Sequence, residues 1–477
     1  MPANNSPGAD SDSSRLVGVT VLPEYIQFEG IDRVLDNLQS RAGATAVATS
    51  PYVMEVADEA TGSREPPIDA GAGKVRLLDR PLWGKRELWM RTAPSSEPNA
   101  WLYEGLRYQA AEPDQLTDEH GHIVSDFLDA AKSRGLATYL QVQSAIPPGY
   151  RVQFGGPEEE DLPRLPDGRI PQNRVANNGS LASPHIVDYH VAMLKDLCEA
   201  YPQIDGIRVD WPEYPPYRLD SVFVDFSDFA HDAADEFGFD FETMRRDTQA
   251  VYDFLHNGLS NDHLQQYLSD PTAFSLAKFP GFLELGKFKA QLSLRLLQSF
   301  RHAIDEVAPH VKLAPAAFPP PWSNVSGMDP SVTNGPCSEI AVKLYSMHWA
   351  MMLNFYGEQI LAANPALDET LLVKVMLHLL GIAKDVESPT LDQYRYPEPD
   401  QPHPGDDDLQ IQKIRDAQTA AGDTPVHVLA HGYGPLEDVQ RRLRIAAEAS
   451  PHGFWVNRYC YLSDEKLDAI GLYGNRK

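Results

Sequence analysis

Asp205-Gly-Ile-Arg-Val-Asp210-Trp-Pro-Glu213-Tyr-Pro-Pro-Tyr217 is the stretch on which the fold turns. Its first half alternates, with Ile207 and Val209 on one face of an extended chain and Arg208 and Asp210 on the other. The β-branched pair suits a face covered by helices, which leaves the charged pair pointing into an enclosed interior. In a parallel barrel Asp210 then ends the strand at the face where active sites are built, with Arg208 one layer below. A guanidinium at that spacing is expected to pair with the carboxylate and keep it charged. Trp211 and Pro212 turn the chain, and Pro215 and Pro216 stiffen the loop behind Glu213.

The pattern repeats in both directions. Upstream, strands are expected at 17–22, 45–49 and 136–143, and downstream at 311–316, 340–345, 426–430 and 453–459. Helices are expected at 31–41 (stopped by Gly43), 123–134 (stopped by Gly135), 186–200, 287–307 and 436–449, with a short one from Asp464. Alternating strands and helices imply right-handed crossovers and a parallel sheet. Eight strands favour closure, which predicts an α/β fold of the (β/α)8 or TIM-barrel kind. No GxGxxG or Walker-type phosphate loop follows any strand, which lowers the doubly wound nucleotide-binding alternative.

The chain has 477 residues, within the reach of one elaborated barrel. Residues 1–14 are polar and expected as a disordered tail, and 15–477 as a single barrel. Loop insertions are expected near 54–117, 149–183, 215–283, 317–338 and 384–424. Those that follow strands lie on the C-terminal face. They carry Trp83, Trp89, Trp101, Tyr150, Tyr217 and Trp322, flat faces on which sugar rings can stack or which pin the loops down.

Lys and Arg number 41 against 68 Asp and Glu, a formal net charge of −27. That argues against nucleic acid and anionic membranes as partners and suits a neutral substrate, and also a salty environment. Cys198, Cys337 and Cys460 are scattered and expected as buried thiols, not a disulfide framework or metal site. No apolar stretch resembles a signal peptide or a membrane span, so a cytoplasmic location is expected, a trimmed secretion signal being the alternative. Nothing in the sequence assigns an oligomeric state.

Cleavage of a glycosidic bond needs two carboxyl groups in different protonation states. Asp210 is the natural carboxylate. Glu213, set among Trp211, Tyr214 and Tyr217, is the natural candidate for a raised pKa and an acid role. The bland alternative is a buried ion pair beside a solvated loop glutamate.

The segment from Ala176-Asn-Asn178 through His190 to YPQIDGIRVDWPEYPPY, ending at Tyr217, resembles the family-10-like glycosyl hydrolases. That resemblance implies a barrel, a carbohydrate substrate and Asp210 as the central carboxylate. It is specific over about forty residues and architectural elsewhere. Arg-Val-Asp is also similar to the strand-four motif of α-amylases, a family that places an acid Glu at the end of strand five. Here that position reads Ala314-Pro-Ala-Ala-Phe-Pro-Pro-Pro321, and the template fails. The retaining β-glycosidase pattern, with Glu after strand seven, meets Val426-His-Val-Leu-Ala-His431-Gly-Tyr433 and fails too.

Strand parity nominates the remaining pocket residues. Strand one sends Gly18, Thr20, Leu22 and Glu24 one way, making Glu24 the expected third inward carboxylate. Gln141 and Gln143 follow from strand three, and Lys343 and Tyr345 from strand six with His348 and Trp349 just beyond. His427 and His431 follow from strand seven, and Trp455, Asn457 and Tyr459 from strand eight. Amide, imidazole and phenol groups suit a hydroxyl-rich ligand. No metal and no cofactor is expected, since strand one lacks the HxH of amidohydrolases and no HExxH or cysteine cluster occurs. The alternatives are a metal-dependent sugar isomerase or hydrolase barrel, and a carbohydrate-binding barrel without catalysis.

Overall fold

The computed structural model describes residues 15–67, 75–151, 155–273 and 276–474, so the tail expected over 1–14 lies outside the described residues. Among them the strands are β1 (Leu16–Thr20), β2 (Ala46–Thr49), β3 (Tyr52–Ala57), β4 (Ser63–Glu65), β5 (Leu88–Pro94), β6 (Ala137–Gln143), β7 (Gly206–Asp210), β8 (Lys312–Ala317), β9 (Ile340–Leu344), β10 (Val426–His431) and β11 (Gly453–Asn457). Eight of these, β1, β2, β6, β7, β8, β9, β10 and β11, close in that order into a barrel. Neighbouring strands in it pair in parallel. The chain is a (β/α)8 barrel. The eight expected strands match it to within a residue or two at each end, and the helices at Leu436–Ala449 and from Asp464 start where expected.

Two differences have plain causes. The long helix begins at Pro280, earlier than the expected 287, because proline is tolerated in a first turn whose N–H groups lack helical partners anyway. The connection after β2 holds a three-stranded antiparallel sheet in the order β3-β5-β4. Its strands escape notice because they are short and partly wet, with Val56 half-exposed, so their apolar alternation is weak.

The barrel interior is filled in layers. Trp455 and Tyr139 meet edge to face at 5.1 Å in the lower layer. Two glycines make room for them. A Cβ on Gly18 would lie 2.3 Å from Trp455, and one on Gly206 would lie 2.4 Å from Tyr139. Ile207 and Val209 are buried on the outer face of β7, as their alternation requires. Burial of such a side chain contributes about 1.5–3 kcal/mol.

The insertion after β7 is helical, with segments at Asp228–Phe237, Phe241–Asp253 and Asn261–Ser269. Each starts on a polar residue, Ser227, Asp240 or Ser260, whose side chain accepts a backbone N–H two or three residues on. The three cysteines are free thiols, with Cys198 and Cys460 buried and Cys337, against expectation, half-buried. Among the described residues no helix is long and apolar enough to cross a membrane.

Candidate active site

A cavity of about 490 Å³ opens at the C-terminal ends of the barrel strands. Register explains its floor. Gln141 of β6 lies beside Arg208 and Gln143 beside Asp210, so one parity turns all four inward. Arg208 stays below the cavity. It donates to Thr20 Oγ1 at 2.9 Å and lies over the Trp455 ring at 4.1 Å. Burial draws its pKa down to about 10, against opposing charge from Tyr345 and Asp210. Asp210 reaches the cavity, along with Gln141, Gln143, Trp211, Tyr345 and Asn457. Trp211 follows in a left-handed conformation (φ 56°), and its N–H donates to Asp210 Oδ1 at 3.1 Å. A non-glycine residue held there costs about 1–3 kcal/mol, a strain that recurs at ligand sites.

The ion pair of Asp210 is with Lys343, not with Arg208 as its sequence spacing suggests. Lys343 Nζ lies 2.7 Å from Asp210 Oδ1 and 3.8 Å from Glu213 Oε1. The closer contact is one of charge without hydrogen-bond alignment. Arg208 misses because the residue it would pair with is two positions along the same strand, whereas β9 brings Lys343 across the barrel. Glu213 is fully buried and lies outside the cavity lining. Its Oε2 accepts from Ser326 Oγ at 2.5 Å, its carbonyl accepts from Asn178 Nδ2 at 2.9 Å, and Oε1 has no hydrogen-bond partner. Burial pushes its pKa up to about 7, opposed by Lys343 and Ser326 and reinforced by Asp210. The raised pKa expected of Glu213 is there. The cause is desolvation.

Glu24 joins a second buried group. Arg151 Nη2 lies 2.5 Å from Glu65 Oε2, Arg151 Nη1 lies 3.5 Å from Glu24 Oε1, and Nη1 also donates to Tyr52 OH at 3.3 Å. Burial, then the neighbouring Glu65, raise the Glu24 pKa to about 7. Glu24 belongs to the helix Pro23–Glu29, past the end of the strand whose parity nominated it, and is not among the residues lining the cavity.

Of the residues nominated by parity, His348 and His431 also line the cavity. His348 Nδ1 contacts Tyr217 OH at 3.2 Å, and Asn457 Nδ2 donates to Tyr345 OH at 2.7 Å. Lys343, although inward, is outside the lining, and four more residues named from the sequence are corrected. His427 lies at the N-terminal end of β10, 3.7 Å from Glu339, because inward parity does not say how deep a residue sits. Tyr459 turns outward, donating to Glu29 and accepting from Asn37. Trp349 is buried against Trp322, the ring centroids 5.5 Å apart. Tyr214 is buried as well, its hydroxyl donating to Asp225 and accepting from Leu181 N–H. Among the loop aromatics Tyr150 and Tyr217 line the cavity. Trp322 is core, while Trp83, Trp89 and Trp101 lie elsewhere, Trp101 being 73% exposed.

Sequence reasoning missed the arginines. Arg76, Arg151, Arg174, Arg218 and Arg458 all line the cavity, every one from a connection between elements, where parity is silent. Arg458 immediately follows β11, and its place beside the nominated Asn457 was the one usable signal.

Among the described residues no group of three or more His, Cys, Asp or Glu is arranged to hold a metal ion. No protein-family model matches the chain, and no curated protein sequence matches it. Solved structures do share the barrel fold. The chain is similar to a β-galactosidase from the Antarctic haloarchaeon Halorubrum lacusprofundi, with a TM-score of 0.51 and 12% identity. That match covers 95% of this chain and 57% of the galactosidase, so the chain spans little more than half that enzyme's length. The PgaB (BpsB) glycoside hydrolase domain of Bordetella bronchiseptica matches with a TM-score of 0.48, 12% identity and 94% coverage of both chains. The catalytic domain of a β-amylase from Paenibacillus polymyxa gives 0.48 and 11%, over 97% of this chain and 98% of that one. At such identities the likeness is one of fold.

Proposed function

We propose that the chain is a glycoside hydrolase-like enzyme acting on a saccharide at the barrel mouth, with Asp210 as the carboxylate that meets the sugar. One observation carries this reading. Asp210 is the carboxylate among the described lining residues of a cavity whose other polar groups are amides, imidazoles, phenols, guanidinium groups, the Ser50 hydroxyl and the Trp211 ring. Such a wall suits hydroxyl-rich ligands, and a charged carboxylate in it can stabilise an oxocarbenium-like transition state. The resemblance of residues 176–217 to the family-10-like glycosyl hydrolases singles out the same residue.

Glu213 is the proposed proton-holding partner. A pKa of about 7 keeps a large fraction of it protonated at neutral pH, as a general acid requires. Its burial means that the Trp211-Pro212 turn has to shift for Glu213 to reach a leaving oxygen. Glu24, with its similar pKa, is the reserve candidate.

The test is a turnover screen over aryl glycosides and oligosaccharides, with and without chelator. Turnover that survives chelation and is lost in Asp210→Asn supports the proposal. Saccharide binding without turnover, unchanged in Asp210→Asn, would replace it with a binding barrel. Loss to chelator restored by one divalent ion would replace it with metal-dependent chemistry.

A further inference from the structure

The chain as a whole is acidic, yet five of the described residues lining its cavity are arginines and one is a carboxylate. Two of the five are committed: Arg151 to Glu65, and Arg76 to a 2.7 Å contact with His431 Nε2. The other three have no carboxylate within ion-pair distance among the described residues. Arg174 donates to the carbonyl and side-chain oxygens of Asn178. Arg218 stacks on Phe355 at 3.5 Å, and its buried Nε has no hydrogen-bond partner. Arg458 has two such atoms, Nε and Nη1. Buried donors in native proteins are nearly always satisfied, and leaving one bare costs about 1–3 kcal/mol, more when it is charged. A guanidinium edge is shaped to take two oxygens of one planar or tetrahedral oxyanion.

We infer that the sugar bound beside Asp210 is an anionic one, a uronic acid or a sulfated residue, whose oxyanion is received by Arg458, with Arg174 and Arg218 lining the same cavity. This rests on the saccharide reading above and narrows it to a substrate class. It also reverses the expectation of a neutral substrate drawn from net charge. Surface charges more than about 8 Å away are screened at physiological ionic strength, whereas guanidinium groups in contact are not. The local field decides.

The inference is tested with oligogalacturonides and chondroitin sulfate oligosaccharides against neutral cello- and malto-oligosaccharides, by calorimetry for binding and reducing-sugar release for turnover. At least tenfold tighter binding of an anionic series is expected, carboxylate or sulfate being told apart by which series binds. Arg458→Met should remove that preference, since it deletes the guanidinium whose Nε and Nη1 lack hydrogen-bond partners, and Arg458→Lys should keep part of it. Arg218→Met supplies a second variant should Arg458→Met not fold. Equal or better binding of the neutral series overturns the inference, and turnover of a neutral oligosaccharide would then leave the hydrolase reading standing. Anionic binding without any turnover upholds the inference and removes the hydrolase reading. Unchanged preference in both methionine variants would also overturn it.

Discussion

Lys343 and Glu213 lie 3.8 Å apart with no solvent on either side chain, and the same ammonium is 2.7 Å from Asp210. One buried cation thus serves two carboxyl groups. When Glu213 holds its proton, the charge of Lys343 is left to Asp210. When Glu213 ionises, the two share it. Protonation at a site hidden from the cavity is thereby linked to the field at the residue that faces it.

Removing that cation should therefore be costly. Lys343→Met is expected to lose about 3–5 kcal/mol of stability at pH 8, because buried Glu213 and partly buried Asp210 are left uncompensated. The loss should shrink at pH 5, where Glu213 is protonated. Urea unfolding at the two pH values measures the difference, and equal losses would count against the shared-charge arrangement.

Glu213→Gln should act in the opposite direction. The folded pKa of about 7 lies above the ordinary value of 4.5, with burial the first cause. A raised carboxyl stabilises the fold fully below about 4.5, and that contribution is lost as pH climbs to about 7. Wild type and variant should then unfold alike near pH 4.5. Above pH 8 the variant should be more stable, by on the order of 3 kcal/mol. A gap that does not grow with pH would contradict the raised pKa.

The same variant separates roles in turnover. If Glu213 is the acid, Glu213→Gln should slow substrates with poor leaving groups at least a hundredfold, while activated aryl glycosides are spared. Asp210→Asn should depress both classes. A uniform loss in Glu213→Gln would make it a positioning residue acting through Lys343, and Glu24 would become the acid to test.

The layer beneath gives a prediction of pure packing. Gly18→Ala sets a Cβ 2.3 Å from the Trp455 ring, and overpacking of that kind costs about 1–3 kcal/mol or more. Because Arg208 rests on that ring, the fault should spread upward. Trp455→Phe in the Gly18→Ala background should recover part of the Tm, which a double-mutant cycle would register as coupling.

How far the sequence reaches is clear from the residues themselves. Period-two alternation carries one bit per residue, inward or outward, and on β7 it places Arg208, Val209 and Asp210 correctly. It carries no information on depth, so His427 and His431 read alike although one meets Glu339 and the other the cavity. It also stops where strands stop. Trp349 and Tyr459 sit just past that limit, and so do the arginines of the loops. Partnership across the barrel, as between Lys343 and Asp210, depends on strands far apart in the chain and is settled only by closure.

Arg151 and Glu65 come from different connections, the first after β6 and the second from the small sheet after β2, and they clasp at 2.5 Å against the cavity wall. The wall is therefore held by loops gripping loops, while the floor belongs to the strands. Such a molecule can be refitted. The sheet insertion and its arginine latch form an exchangeable collar, and a different collar on the same barrel would select a different ligand while Trp455, Arg208 and Asp210 stay in place.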